Sequence, residues 1–289
     1  MTPSTALALA LGMVLFGSAT PLARLVTADL PPLVGSALRV TSAAVVLVPI
    51  AHLRGFRWTQ LDRQDWRRAA VLAGVGMFGF TLALALGMER VSGVTGAVIM
   101  GTTPAVTGAA AVIVLGEHAT WRRWLAVALS VAGVILMRLA GGATGFDLVG
   151  AALVFGAVLA EATYTLAGKR FMERHDAVAA TTVATALAVP LFVVAAAPSV
   201  GTVSWSEVGL PAWLAVLAWG LGTLAAGSII WYYGVRRTHG HQAAPFMGLM
   251  PVSALVLSYV LLGEDPAWWH GAGLALVLAG IALVVRDRR

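Results

Sequence analysis

The chain has no cysteine, a single lysine (Lys169), and few charges of either sign, 11% of its 289 residues. Without cysteine there is no disulfide framework, no thiolate metal site and no thiol nucleophile. The shortage of charge excludes more. Soluble proteins are about 25% charged and about 45–50% apolar, whereas this chain is 59% hydrophobic with a mean hydropathy of +0.87. Polar groups cannot cover its surface, so a soluble enzyme is excluded, and disorder is excluded by the same numbers. There is no Gly-rich loop ending in Gly-Lys-Ser/Thr, so the chain does not by itself couple ATP to pumping. No Ser/His/Asp spacing of a catalytic motif appears. His239 and His241 form the one close histidine pair but have no third ligand nearby, and no metal site or cofactor is expected.

What the sequence does contain is long apolar runs. Broken by Pro, Gly or charged clusters, they give ten candidate helices, at 4–26, 32–52, 67–88, 92–115, 121–138, 147–168, 176–197, 210–234, 241–262 and 267–286. A run of about 20 residues at 1.5 Å per residue crosses the hydrocarbon core. Net charge is +6, but the cations lie in short clusters between apolar runs rather than on one soluble face, so no nucleic-acid partner is expected. Fifteen cations fall on one side of a ten-span topology: Arg54, Arg57, Arg63, Arg67, Arg68, Arg122, Arg123, Lys169, Arg170, Arg174, Arg236, Arg237, Arg286, Arg288 and Arg289. Only Arg24, Arg90 and Arg138 fall on the other, and Arg39 lies inside the second helix. By the positive-inside rule both termini are expected in the cytoplasm. The first run lacks a preceding positive charge, so it reads as a helix and not a cleaved signal peptide.

The chain is also duplicated. A shift of 147 residues places 87–138 on 234–285 without a gap, with sixteen of fifty-two positions identical. Among them are Gly87/Gly234, Arg90/Arg237, Gly93/Gly240, Gly101/Gly248, Pro104/Pro251, Glu117/Glu264 and Trp121/Trp268. Shared Ala-Leu composition does not align Pro, Gly-Glu and Trp in one register. Each half holds five helices, an odd number, so the second copy enters the membrane upside down. Inverted repeats of this kind are typical of transporters.

The run from Gly101-Thr-Thr-Pro104 through Leu115-Gly-Glu117 to Trp121 and Ala132-Gly133 resembles the signature of EamA domains in the drug/metabolite transporter superfamily. Its echo is Gly248-Leu-Met-Pro251, Leu262-Gly-Glu264, Trp268 and Ala279-Gly280, and Phe16-Gly17 and Arg39 fit the same pattern. The resemblance implies an all-α membrane protein of ten helices in two inverted five-helix repeats, residues 1–140 and 141–289. It also implies a carrier of small metabolites working by alternating access in the inner membrane, often an exporter, with the fifth helix of each half at the periphery. An amino acid or related amphipathic solute is the substrate expected. A drug or nucleotide-sugar carrier of the same fold stays open. An intramembrane enzyme acting on a lipid-linked substrate would need catalytic carboxylates or histidines at one interface, which these short loops do not supply. The expected partners are a small solute and the bilayer, with a single chain as the working unit.

Glu161, in the middle of the sixth helix, is the sharpest candidate. A carboxylate there is expensive and marks a functional site by default, and one removed from water is a candidate for proton exchange. Tyr164 lies one turn on. Phe78, Thr81, Met100, Thr103, Ser228, Trp231 and Met247 supply the apolar and hydroxyl groups of an amphipathic solute cavity. Arg39 is expected to gate or brace, with carboxylate binding as the other reading. Pro104 and Pro251 are expected to bend helices 4 and 9. Gly74, Gly76 and Gly79 read as close-packing contacts in helix 3. The two Gly-Glu turns read as caps, and Trp121 and Trp268 as interfacial anchors.

Overall fold

A computed structural model of the chain describes residues 2–103, 105–107, 109–110, 120–140, 147–235, 237 and 244–287. Ten helical segments run through them: α1 Pro3–Asp29, α2 Pro32–Leu53, α3 Arg63–Met88, α4 from Gly93–Met100 onward, α5 Trp121–Ala140, α6 Leu148–Phe171, α7 Ala177–Val200, α8 Leu210–Gly234, α9 Ala244–Leu262 and α10 Trp268–Asp287. Six of these, α1 to α3 and α6 to α8, are long and apolar enough to cross a membrane on their own account. The chain is an all-helical, multi-pass membrane protein. Large apolar side chains such as Leu7, Val45, Leu139, Val194 and Val260 stand exposed on its outside, as a lipid solvent allows.

Local chemistry sets the helix ends. Asp147 and Asp176 cap α6 and α7 by accepting from Gly150 N at 2.6 Å and Ala179 N at 2.7 Å. Asp62 and Asp65 form a capping box at the start of α3. Gly263 ends α9 at φ +66°, a conformation glycine adopts without a Cβ penalty. The run expected as one straight helix over 4–26 is broken at Ser18, whose hydroxyl donates to Leu15 O at 2.6 Å.

Packing follows a twofold that exchanges the halves. α1 packs on α8 as α6 packs on α3, and α1 meets α9 as α6 meets α4. α2 and α7, α4 and α9, and α5 and α10 each pair with their own counterparts. The backbone repeats an irregularity as well. α3 carries a π-helical stretch at Leu72–Gly79 and α8 one at Ala218–Ala226, and the 147-residue shift carries the first onto 219–226. A π turn widens a helix, and such turns are frequent at functional sites. Of the three glycines expected to pack closely in this stretch, only Gly76 does so. A Cβ there would lie 2.6 Å from Tyr164 Cδ2, whereas Gly74 has nothing within 4 Å and Gly79 meets only the Gly74 carbonyl, at 3.5 Å.

Pro251 sits in the first turn of the α-helical part of α9, just after a 3-10 stretch at Ala244–Gly248. Its missing N–H is not required there. Pro104 and the Gly116-Glu117 turn lie outside the described residues. α5 and α10 form a close pair, with Gly133 against the Gly273 carbonyl. Gly133→Ala would put a methyl 2.8 Å from that oxygen and is expected to cost roughly 1–3 kcal/mol. Gly271→Ala, on the same pair but with nothing within 4 Å, is expected to be neutral or stabilising by up to about 1 kcal/mol. Thermal unfolding of both variants in detergent checks this, and equal midpoints would refute the close α5–α10 packing.

Candidate functional site

The interior charge of α6 is Glu161. Thr103, ten residues into α4, donates its hydroxyl to Glu161 Oε2 at 3.1 Å and also reaches Met100 O at 2.7 Å. Thr103 is the one hydrogen-bond partner of this carboxylate among the described residues, and Glu161 itself is only partly buried. One turn along, the Tyr164 hydroxyl donates to Thr181 on α7 in a long 3.5 Å hydrogen bond. Tyr232 of α8 approaches the same threonine and Tyr164. Phe78, in the π stretch of α3, lies against Phe192 of α7 with ring centroids 4.6 Å apart, in the apolar cluster that Tyr164 also borders. Five helices (α3, α4, α6, α7 and α8) thus bring a carboxylate, two phenols, two threonines and a phenylalanine to one interior region.

A second polar centre lies between α2, α3 and α8. Arg39 is 3% exposed; it donates to the Thr81 hydroxyl and lies 4.5 Å from the ring centre of Trp219 and 6.0 Å from that of Phe80. Gly220, in the π stretch of α8, admits this approach, because a Cβ there would overlap the Arg39 carbonyl and Ser42. A third contact crosses the halves at one membrane face. The Glu264 carboxylate accepts from Gly93 N at 2.5 Å and Val94 N at 2.9 Å. The second Gly-Glu turn is therefore a cap, and the helix it caps is α4 of the other repeat.

The remaining residues named from sequence are dispersed. Met100 is buried in the apolar cluster of α1, α2, α3 and α6. Trp231 backs onto Gly12 of α1, and Pro251 packs against Gly101 of α4. Ser228 is buried in α8 at the position 147 residues beyond Thr81, and Met247 is partly buried in the 3-10 stretch. Trp121 and Trp268 stand about two-thirds exposed at the first residues of α5 and α10, as interfacial anchors would.

Comparison with known proteins fits this architecture. The sequence pattern of the EamA-like transporter family matches residues 3–139 and again 148–286. The chain belongs to the EamA-like transporter family. Over 285 residues it is 27% identical to the uncharacterized transporter YetK of Bacillus subtilis, covering 97% of this chain and 86% of that one. A protein of Streptantibioticus cattleyicolor named "Probable terminal-alkyne amino-acid exporter" is 28% identical, with 96% and 92% covered. A crystal structure at 20% identity superposes over 100% of both chains with a TM-score of 0.70, which shows the shared fold.

Sequence reasoning missed several parts of this EamA-like site. Thr181 and Trp219 carry no motif, and their roles come from neighbours distant in the chain. Two open clefts among the described residues lie elsewhere. One, of about 580 Å³, runs between α3, α4 and α6 past Val71, Ala110, Leu159 and Leu166. The other, of about 410 Å³, runs between α4, α5 and α6 past Ile99, Val134 and Phe155. The first is also lined by Gln64, Arg67, Arg68 and Thr163, whereas the second is almost wholly apolar, and Glu161 is in the lining of neither.

Loops 2–3 and 6–7 are clasped together by an ion cluster. Arg174 donates to Asp62 and lies 3.4 Å from the fully buried Asp65, which also pairs with His175 Nε2 at 3.0 Å. The Arg174 hydrogen bond, with help from backbone N–H groups, holds the Asp62 carboxyl at about 2, below its ordinary 3.8. A lowered folded pKa stabilises above the unfolded value, and the contribution disappears as pH falls through the folded one. Arg174→Gln should therefore lower the thermal midpoint near pH 6, with the gap to wild type closing between about pH 4 and 2. A gap that stays constant down to pH 2 would show that the clasp does not hold this carboxyl.

Proposed function

We propose that this EamA-like transporter exports an amino acid or related amphipathic solute across the inner membrane by alternating access. On this reading the solute's polar head contacts Glu161. The observation that carries it is the Glu161 carboxylate in mid-helix, partly exposed and hydrogen-bonded among the described residues only by Thr103. A charged carboxylate at bilayer depth costs several kcal/mol, about 2.5–3.5 for Asp on insertion scales. One threonine hydrogen bond, worth roughly 0.6–2 kcal/mol inside a membrane bundle, does not offset that. A carboxyl left so lightly held serves a hydrated, solute-accessible interior. The phenols of Tyr164 and Tyr232 with Thr181 add hydrogen-bonding capacity, and Phe78 adds an apolar wall. The twofold supplies the two faces of an alternating-access cycle. The amino-acid class draws support from the name of the Streptantibioticus relative.

Counterflow of radiolabelled amino acids into liposomes holding the purified chain tests this. Glu161→Ala is expected to reduce exchange at least tenfold with the protein still monodisperse and folded. Glu161→Gln, which keeps the shape but cannot titrate, is expected to flatten the pH dependence of whatever exchange remains. Wild-type rates and pH profile in both variants would eliminate a direct role for Glu161.

Orientation follows from charge, with both termini and loops 2–3, 4–5, 6–7 and 8–9 in the cytoplasm. On the cysteine-free background, Gly55→Cys in loop 2–3 should stay unlabelled by an impermeant maleimide in intact cells. Ser204→Cys in loop 7–8 should label fully. Labelling of both from outside, or of Gly55→Cys alone, would overturn the topology.

A further inference from the structure

Arg39 is a cation whose neutralisation the fold leaves open. It is buried seven residues inside α2, and no carboxylate among the described residues lies within ion-pair distance of it. Thr81 occupies one of its N–H groups, and the indole of Trp219 faces the guanidinium at 4.5 Å. Among the described residues five buried polar atoms have no hydrogen-bond partner, and three of them belong to this centre: Arg39 Nε, Trp219 Nε1 and the hydroxyl of Ser36, one turn earlier on α2; the others are the hydroxyls of Thr20 and Thr185. Buried polar groups are normally paired, and each exception calls for a reason. Arg39 Nε and Trp219 Nε1 can only donate, the Ser36 hydroxyl can donate or accept, and the charge beside them is positive, so an anionic acceptor suits them. The planar guanidinium fork is matched to a carboxylate.

The duplication strengthens this. α7, the counterpart of α2, has no charged residue between Ala177 and Val200, and α1, the counterpart of α6, has none before Arg24. The interior cation and the interior carboxylate therefore each occur once, in opposite repeats. A bracing role would serve both halves of a twofold structure. One cation and one anion suit a solute that bears one of each. Arg39 is seven residues from the start of α2, Thr103 ten from the start of α4 and Glu161 thirteen from the start of α6. These helices start on the same face, so the three groups descend from it at roughly 10, 15 and 20 Å at 1.5 Å per residue, with the cation nearer that face and the carboxylate deeper.

We propose that Arg39, with Thr81 and the Trp219 indole, forms the subsite for the carboxylate of an amino-acid solute whose ammonium group is taken by Glu161. This rests on the transport reading above and adds the substrate's charge pattern to it. The solute's carboxylate completes the unmatched donors, and a solute lacking it leaves them unpaired and is discriminated against.

The test is counterflow in liposomes with the twenty proteinogenic amino acids, followed by the amine obtained by decarboxylating the one exchanged fastest. Wild type is expected to prefer the amino acid to its amine by at least tenfold. Arg39→Gln should collapse that preference to near unity by losing the amino acid while keeping residual amine exchange, and Arg39→Lys should restore part of it. Trp219→Phe keeps an aromatic face but removes the N–H and the second ring. It should raise the KM for the amino acid about threefold to tenfold and that for the amine by less, and this difference between the solutes guards against Arg39→Gln simply misfolding. Exchange of no amino acid by wild type would defeat the transport reading and the subsite together. Equal wild-type exchange of acid and amine would defeat the subsite alone. So would a preference that survives in Arg39→Gln, or a loss of both solutes in equal measure in Arg39→Gln and Trp219→Phe.

Discussion

Inside a bilayer no water is available to satisfy the backbone, so every N–H and C=O must be paired within the chain. That constraint shapes this molecule from end to end. It makes the whole membrane-crossing part helical, and it turns any departure from the regular helix into something the surrounding packing must accommodate. Two of the departures are paired. Two π stretches recur one repeat apart, and each lies where a helix meets a polar centre. Phe78 and Gly76 of the first border Tyr164 and Phe192, while Trp219 and Gly220 of the second embrace Arg39. Backbone irregularity and interior polarity occur together.

The twofold explains how two such centres come to share one structure. Each half cannot bury its own inner faces, so α1 lies on α8 and α6 on α3, and the termini of one repeat are finished by side chains of the other. Glu264 capping α4 is the plainest case, with a carboxylate of the second half satisfying the first free N–H groups of a helix in the first. Within the first repeat, Arg24 of α1 closes the C-terminal end of α3, donating to Met88 O and Glu89 O at 2.8 and 2.7 Å. Against this symmetric frame the unsymmetric residues stand out. Glu161 and Arg39 have no charged counterparts in the opposite repeat.

Much of this was legible in the sequence. Ten helices, the duplication and its inversion, and the cap role of the second Gly-Glu turn follow from hydropathy and register, and the cost of interior charge singles out Glu161 and Arg39 as candidates. Thr103 and Thr81 were named as cavity residues, but their partners Glu161 and Arg39 could not be assigned, since those contacts join residues 58 and 42 positions apart. The π stretches were invisible because no residue pattern distinguishes a π turn from an α turn in an apolar run. The break at Ser18 and the function of Gly17 were hidden for a related reason: Gly17 matters because Ser253 and the Met250 carbonyl of α9 press against it. Trp219 and Thr181 look like ordinary packing residues until the fold places a guanidinium and a phenol beside them.

The central claim is that the one-sided interior charges form the solute site. A structure of the chain determined with its transported amino acid bound tests this most directly. The expected result places the solute ammonium group about 3 Å from Glu161 and its carboxylate at the guanidinium of Arg39, hydrogen-bonding distance in both cases. A solute seated instead in the cleft between α3, α4 and α6, with Glu161 and Arg39 still in the contacts they make without it, would contradict the account.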